Sequence, residues 1–171
     1  MAMHPSIEHI RTTLTSATEG MTDAEWAQHA EEGKWCAAEI VEHLSLTYSR
    51  TAEGLRRVLA AGKPSATPLS LKQRLGILWV VELGRFPAGR EAPKQVRPSG
   101  SQDGRKILSD ALDHLVNMDT ALASCESRFG TGTRIVDHPI LGALSVSQWR
   151  KFHAIHARHH APQIERLRKL S

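Results

Sequence analysis

The chain has 171 residues and a formal net charge of +4, from 22 basic and 18 acidic side chains, with ten histidines besides. That length suits one domain, 1–171, able to bury a core, and a mean hydropathy of −0.33 with no apolar run of bilayer length argues against a membrane-spanning protein. The basic residues interleave with acids and no base-reading motif accompanies them, so the charge reads as a solvated surface open to an anionic small molecule, with no nucleic-acid partner and no membrane partner.

One Tyr and three Phe, with Leu and Ala recurring at helical spacing, predict an all-α fold. The N-terminal Met-Ala-Met-His-Pro-Ser carries no apolar signal core, which makes the cytoplasm the expected location. Cys36 and Cys125 share no C-x-x-C spacing and read as two reduced, buried thiols.

The first predicted helix covers 6–18, with Ile7, Ile10 and Leu14 on its apolar stripe and Gly20 after its end. Thr22 with Glu25 has the form of a capping box and opens a short helical turn around Trp26. A second long helix runs from Cys36 to about Ala61, closed by Gly62 and Pro64, with Ile40, His43, Leu44, Thr47, Leu55 and Val58 facing inward. Ser70 with Gln73 opens an extra helix through Leu71, Leu75, Leu78, Trp79 and Leu83. Residues 86–104 form a long loop rich in Pro, Gly and Arg, of the kind that carries function.

A third bundle helix covers 105–129, with Leu108, Leu112, Leu115, Met118, Leu122 and Cys125; a loop over 130–142 follows. Ser145 with Gln148 caps the last helix, which continues to Leu170. The whole reads as a four-helix bundle with an extra helix and a long Pro-rich loop between its second and third helices.

The last helix is the most informative. At about 100° per residue, Trp149, Phe152, His156, His160, Gln163, Leu167 and Leu170 share one stripe, with Arg150, Lys151, Arg158, Arg166, Arg168 and Lys169 outside it. His156 and His160, one turn apart on an otherwise apolar face, need partners, and one metal ion is a way to supply them. His153 and His159 flank the stripe and read as supporting or solvent-facing. A third ligand from a facing helix would complete a site: His43 is the first candidate and His114 its rival. Pro162, within the helix, predicts a kink that splays His160 from His156 or frees a backbone carbonyl.

Lys34-Trp35, Glu42-His43-Leu44, His138-Pro139-x-x-Gly142-x-Leu144, Trp149 and His156-x-x-x-His160-x-x-Gln163 occur in an order that resembles the DinB-like superfamily. The loop over 86–98 is similar to a proline-rich segment of many members. The resemblance implies an up-down-down-up four-helix bundle, often dimeric, so that a homodimer is one expected arrangement. It also implies one divalent metal, zinc or nickel before iron or manganese, on His43, His156 and His160.

Members with assigned activity include transferases using low-molecular-weight thiols. The resemblance therefore implies thiol transfer to a small electrophilic substrate, with the metal activating the thiol. Metal-dependent hydrolysis is the alternative, and a non-catalytic metal or small-ligand binding bundle a third. Glu39, one turn before His43, and Gln163, one turn after His160, are the candidate catalytic residues; Arg85, Arg90 and Arg97 are candidates to steer an anionic thiol. His138 is expected to pack beneath the last helix, and Trp35 and Trp149 to anchor the core.

Overall fold

The computed structural model describes residues 2–87, 89, 91–100 and 103–170. Its helices are α1 (Pro5–Thr18), α2 (Asp23–Ala27), α3 (Ala37–Ala61), α4 (Leu71–Ile77), α5 (Gly104–Phe129) and α6 (Val146–Arg168). A π-helical turn, Leu78–Glu82, prolongs α4, and one 3-10 turn, Lys94–Val96, interrupts the long loop. Two short strands, β1 (Arg134–His138) and β2 (Gly142–Ser145), precede α6. The protein is thus mostly helical, with a small sheet. None of the described helices is long and apolar enough to cross a membrane.

The helix starts follow from local chemistry. Thr22, Ser70 and Ser145 each cap a helix and in return donate their backbone N–H to the side chains of Glu25, Gln73 and Gln148. At α3 the backbone N–H of Cys36 donates to Glu39 Oε2 at 2.9 Å. Gly62, left-handed at φ 71°, ends that helix and returns its N–H to Val58 and Leu59.

Helix α3 lies along α5, and α1 along α6; α3 and α6 meet over a shorter stretch. The core falls into two clusters. One gathers Ile7, Leu14, Leu44, Tyr48, Leu115 and Phe152; the other gathers Trp26, Cys36, Ile40, Val41, Ile164 and Leu167. On α3 the boundary between them falls after Val41, and on α6 between Ala157 and Ala161, so His43, His156 and His160 sit at the seam. Gly104 matters here: a Cβ there would come within 2.0 Å of the Trp26 ring, so only glycine lets α5 begin against it.

The structure departs from an all-α reading at 130–142. There the chain pairs antiparallel, with Val136 opposite Leu144, Asp137 opposite Ala143 and His138 opposite Gly142. The cause is local: Ile135-Val136 are β-branched, Gly142 turns at φ 73°, and all of β2 is buried. A Cβ on Gly142 would also meet Gln73 and Leu69 at 2.7 Å, which docks the hairpin against the start of α4.

Three expectations for α6 also change. The helix runs unbroken through Pro162, and His160 is not splayed from His156. Arg150, placed on the outer face by the wheel, is buried, and its Nη1 pairs with Glu126 at 2.7 Å. Leu170, placed inside, is exposed because α6 ends at Arg168.

Candidate metal centre

Helices α3 and α6 bring His43, His156 and His160 together, each at most 7% exposed. The His156 Nε2 lies 3.2 Å from His43 Nε2 and 3.1 Å from His160 Nε2, and one ring nitrogen from each histidine falls within 4.8 Å of the others. The opposite ring edges fix the tautomers. His43 Nδ1–H donates to the Val96 carbonyl at 2.7 Å, and His160 Nδ1–H donates to Gln163 Oε1 at 3.1 Å. Both Nε2 atoms therefore present lone pairs. His156 Nε2–H can donate to only one of them at a time, which leaves the other lone pair without a donor, whereas a cation at the convergence would satisfy all three.

Burial lowers the pKa of all three rings. For His156 it falls well below the usual value, by burial first and then by His160 and His43; for His160 it falls to about 3, by burial and then His43. For His43 burial again dominates, opposed by the bond to Val96. Near neutral pH all three are uncharged, the form that ligates a metal. His156 Nδ1 is buried with no hydrogen-bond partner among the described residues, an orphan that sets this ring apart from the other two.

The surrounding rings are aromatic. Phe86, from the long loop, stacks on His156 at 5.0 Å and 16° and leans on His159 at 4.8 Å. Trp35 tilts over His43 at 5.0 Å; it is half-buried and forms part of the site wall, whereas Trp149 is the buried core anchor. His138 packs on Phe152 at 4.5 Å and on Trp149 at 5.6 Å, beneath α6, and burial lowers its pKa to about 4.

The remaining candidates separate clearly. His114 bonds Ser45 Oγ at 2.8 Å and stands outside the cluster. His153 is wholly buried rather than solvent-facing, bonded to Thr51 at 3.1 Å. Gln163 spans His160 and His159, its Nε2 donating to His159 Nε2 at 3.2 Å. Glu39 Oε2 accepts from the Cys36 N–H and, at 3.1 Å, from His29 Nε2–H, which turns it to the start of α3. Arg85 lies over Trp79 at 4.7 Å, Arg97 pairs with Glu91 at 2.7 Å, and Arg90 lies outside the described residues.

A protein family described as a protein of unknown function (DUF1569) matches residues 9–167. The chain belongs to the DUF1569 family. No curated protein and no solved structure matches it.

The histidines of this DUF1569 protein open on a cavity of about 1940 Å³, whose walls include Trp35, Phe86, Leu141 and Phe152. Sequence reasoning missed Phe86 and the Val96 carbonyl, because a loop has no periodicity from which to read a facing side. It also missed a second grouping, His29, Cys36 and Glu39, whose donor atoms lie within 4.8 Å of one another. There the carboxylate already closes the start of α3 and binds His29, so the grouping has a complete structural explanation.

Proposed function

We propose that His43, His156 and His160 hold one divalent metal, zinc or nickel before iron or manganese, and that the protein is a DinB-like enzyme with an up-down-down-up bundle. The single observation that carries this is the convergence of three uncharged, buried Nε2 atoms, two of them forced by their Nδ1 partners to present lone pairs. The four long helices and the long connection between α3 and α5 support the same reading.

The reaction we favour is transfer of a low-molecular-weight thiol to a small electrophile by addition: a sulfur–carbon bond forms as an epoxide C–O bond or an activated C=C π bond opens, and the proton lost by the thiol ends on the alkoxide oxygen or the carbanion so formed. A bound divalent metal would supply the acidity that turns the thiol into a thiolate. The chain's own residues do the rest. Val96 and Gln163 hold the His43 and His160 rings in the ligating tautomer. Phe86 covers one face of His156 against water. Lys34 and Arg166, which line the cavity, favour an anionic thiol. A cytoplasmic setting goes with this reading, since thiols there stay reduced.

Hydrolysis is the weaker alternative, because the carboxylate best placed in sequence to act as base, Glu39, is engaged by Cys36 and His29. The test is the elemental content of tag-free protein beside His43→Ala and His156→Ala. About one divalent ion per chain, lost in both variants, is expected, followed by thiol-dependent consumption of an electrophile such as a maleyl or epoxide compound. A protein that takes up no metal on reloading would overturn the reading.

A further inference from the structure

The cavity is larger than thiol transfer to a small electrophile requires. At about 1940 Å³ it exceeds the roughly 300–1,000 Å³ of ordinary small-molecule sites. Its direction can be followed through ring contacts. From His156 the wall passes to Phe86, then to Phe152 at 6.2 Å from Phe86, and on to His138. The Leu141 N–H donates to His138 Nδ1, and Leu141 Cδ2 stands 3.2 Å from where a Cβ on Gly76 would be. Gly76 belongs to α4, whose Leu75 also lines the cavity, as do Leu78 and Trp79 of the π-helical turn that continues it.

That far end is unusual in composition. Of the exposed large apolar side chains among the described residues, Leu71, Leu75, Leu78, Trp79 and Leu83 lie on this one segment, and Ile140 lies in the adjoining hairpin turn. The opposite face of the segment buries Ile77, Val80 and Val81, so the stretch 75–81 carries no polar side chain on either face, which in water calls for cover on both sides. The side chains that need cover include those at the mouth of the cavity. A ligand running out of the cavity along them accounts for both observations together.

We infer that the cavity takes an amphiphile, its polar end at the histidines and a straight aliphatic tail running past Phe86, Phe152 and Leu141 to Leu78 and Trp79. The position of the polar end rests on the metal reading; the tail path does not. Leu78 and Trp79 are 50% and 48% exposed, so Leu78→Glu and Trp79→Glu alter the mouth without opening the core.

The experiment is titration calorimetry of butanoate, hexanoate, octanoate and decanoate into wild type and these two variants, with sedimentation velocity and metal content measured in parallel. Wild-type affinity should rise about two- to fourfold per methylene, the scale of a buried CH₂, and the rise should flatten beyond hexanoate in both variants. Affinity independent of chain length in wild type overturns the proposal, and so does an undiminished rise in the variants. A wild-type dimer that Leu78→Glu dissociates, with the rise unchanged, would make this face an interface between copies, and the proposal falls. A chain-length rise in protein that holds no metal supports the tail path while the metal reading fails; bound metal with no such rise is the reverse.

Discussion

The Phe86 ring lies almost parallel over His156, with centroids 5.0 Å apart and planes 16° apart, and so joins the long loop to the histidine cluster. Because Phe86 touches only the ring face, it leaves Nε2 free while restricting approach from that side. In Phe86→Ala the metal content should stay near one per chain, but loss of metal to a competing chelator should quicken severalfold. Stopped-flow chelation measures this. The ring is half-buried, so the stability cost in urea should be about 1–2 kcal/mol, below the range for a fully buried Phe.

Gln163 and His159 divide the work around His160 unequally. Gln163→Leu removes the acceptor that holds the His160 Nδ1–H, and metal affinity should fall about 10- to 100-fold. His159→Ala removes the far partner of Gln163 and a ring packed on Phe86, but no candidate ligand, and should retain stoichiometric metal, whereas His156→Ala should lose it with helicity largely intact. Competition with a chromophoric chelator ranks the three. Equal losses in His156→Ala and His159→Ala would mean that the cluster is not the site.

Stability should fall in acid, with a sign fixed by the buried rings. The pKa is lowered to about 4 for His138 and to about 3 for His153 and His160, in each case by burial first. An unfolded histidine titrates near 6.5. Between that value and the folded ones the unfolded chain holds more protons, so unfolding takes protons up. The share of stability owed to these three rings is complete above about pH 6.5 and drains away as the pH falls towards 4 to 3. The slope should approach about 1.4 kcal/mol per pH unit for each ring. Urea midpoints from pH 7.5 down to 4.5, taken on chelator-treated protein, test it; a flat profile would mean that these rings are not buried uncharged.

Gly104→Ala should destabilise without touching the site. Its Cβ would overlap the Trp26 ring at 2.0 Å, and relief requires moving either a fully packed indole or the start of α5. A loss of about 1–3 kcal/mol is expected, as for other overpacked positions. Thermal melts should show it, with metal content unchanged.

Tyr48→Phe should act in the other direction. The Tyr48 hydroxyl is buried with no partner among the described residues. Deleting it removes an unsatisfied polar group at almost constant volume, for a gain of about 1 kcal/mol. A loss in urea titration instead would reveal a bonded hydroxyl.

What was legible in the sequence was local or periodic. Three capping boxes could be read because each is a contact between residues three apart. The stripe through His156 and His160 could be read because α6 is long. The choice between His43 and His114 could not be made from periodicity, since both lie near an apolar face; in the fold a tertiary partner, Ser45, takes up His114. The hairpin was missed because strands as short as β2 show no alternation when every side chain is buried. Arg150 was misplaced because a helical wheel knows the angle of a residue but not that Glu126 waits across the groove.

The seam between the two apolar clusters has a mechanical consequence. Each cluster joins α3 to α6 on its own side, Leu44 with Ala157 in one and Val41 with Ala161 in the other, and between them the two helices meet through the His43–His156 contact. A ligand held by both His43 and His156 would bridge α3 and α6 at that point, as a rivet joins two plates. A change of occupant would reach the Val96 end of the long loop through the His43 ring, with no hinge needed to carry it.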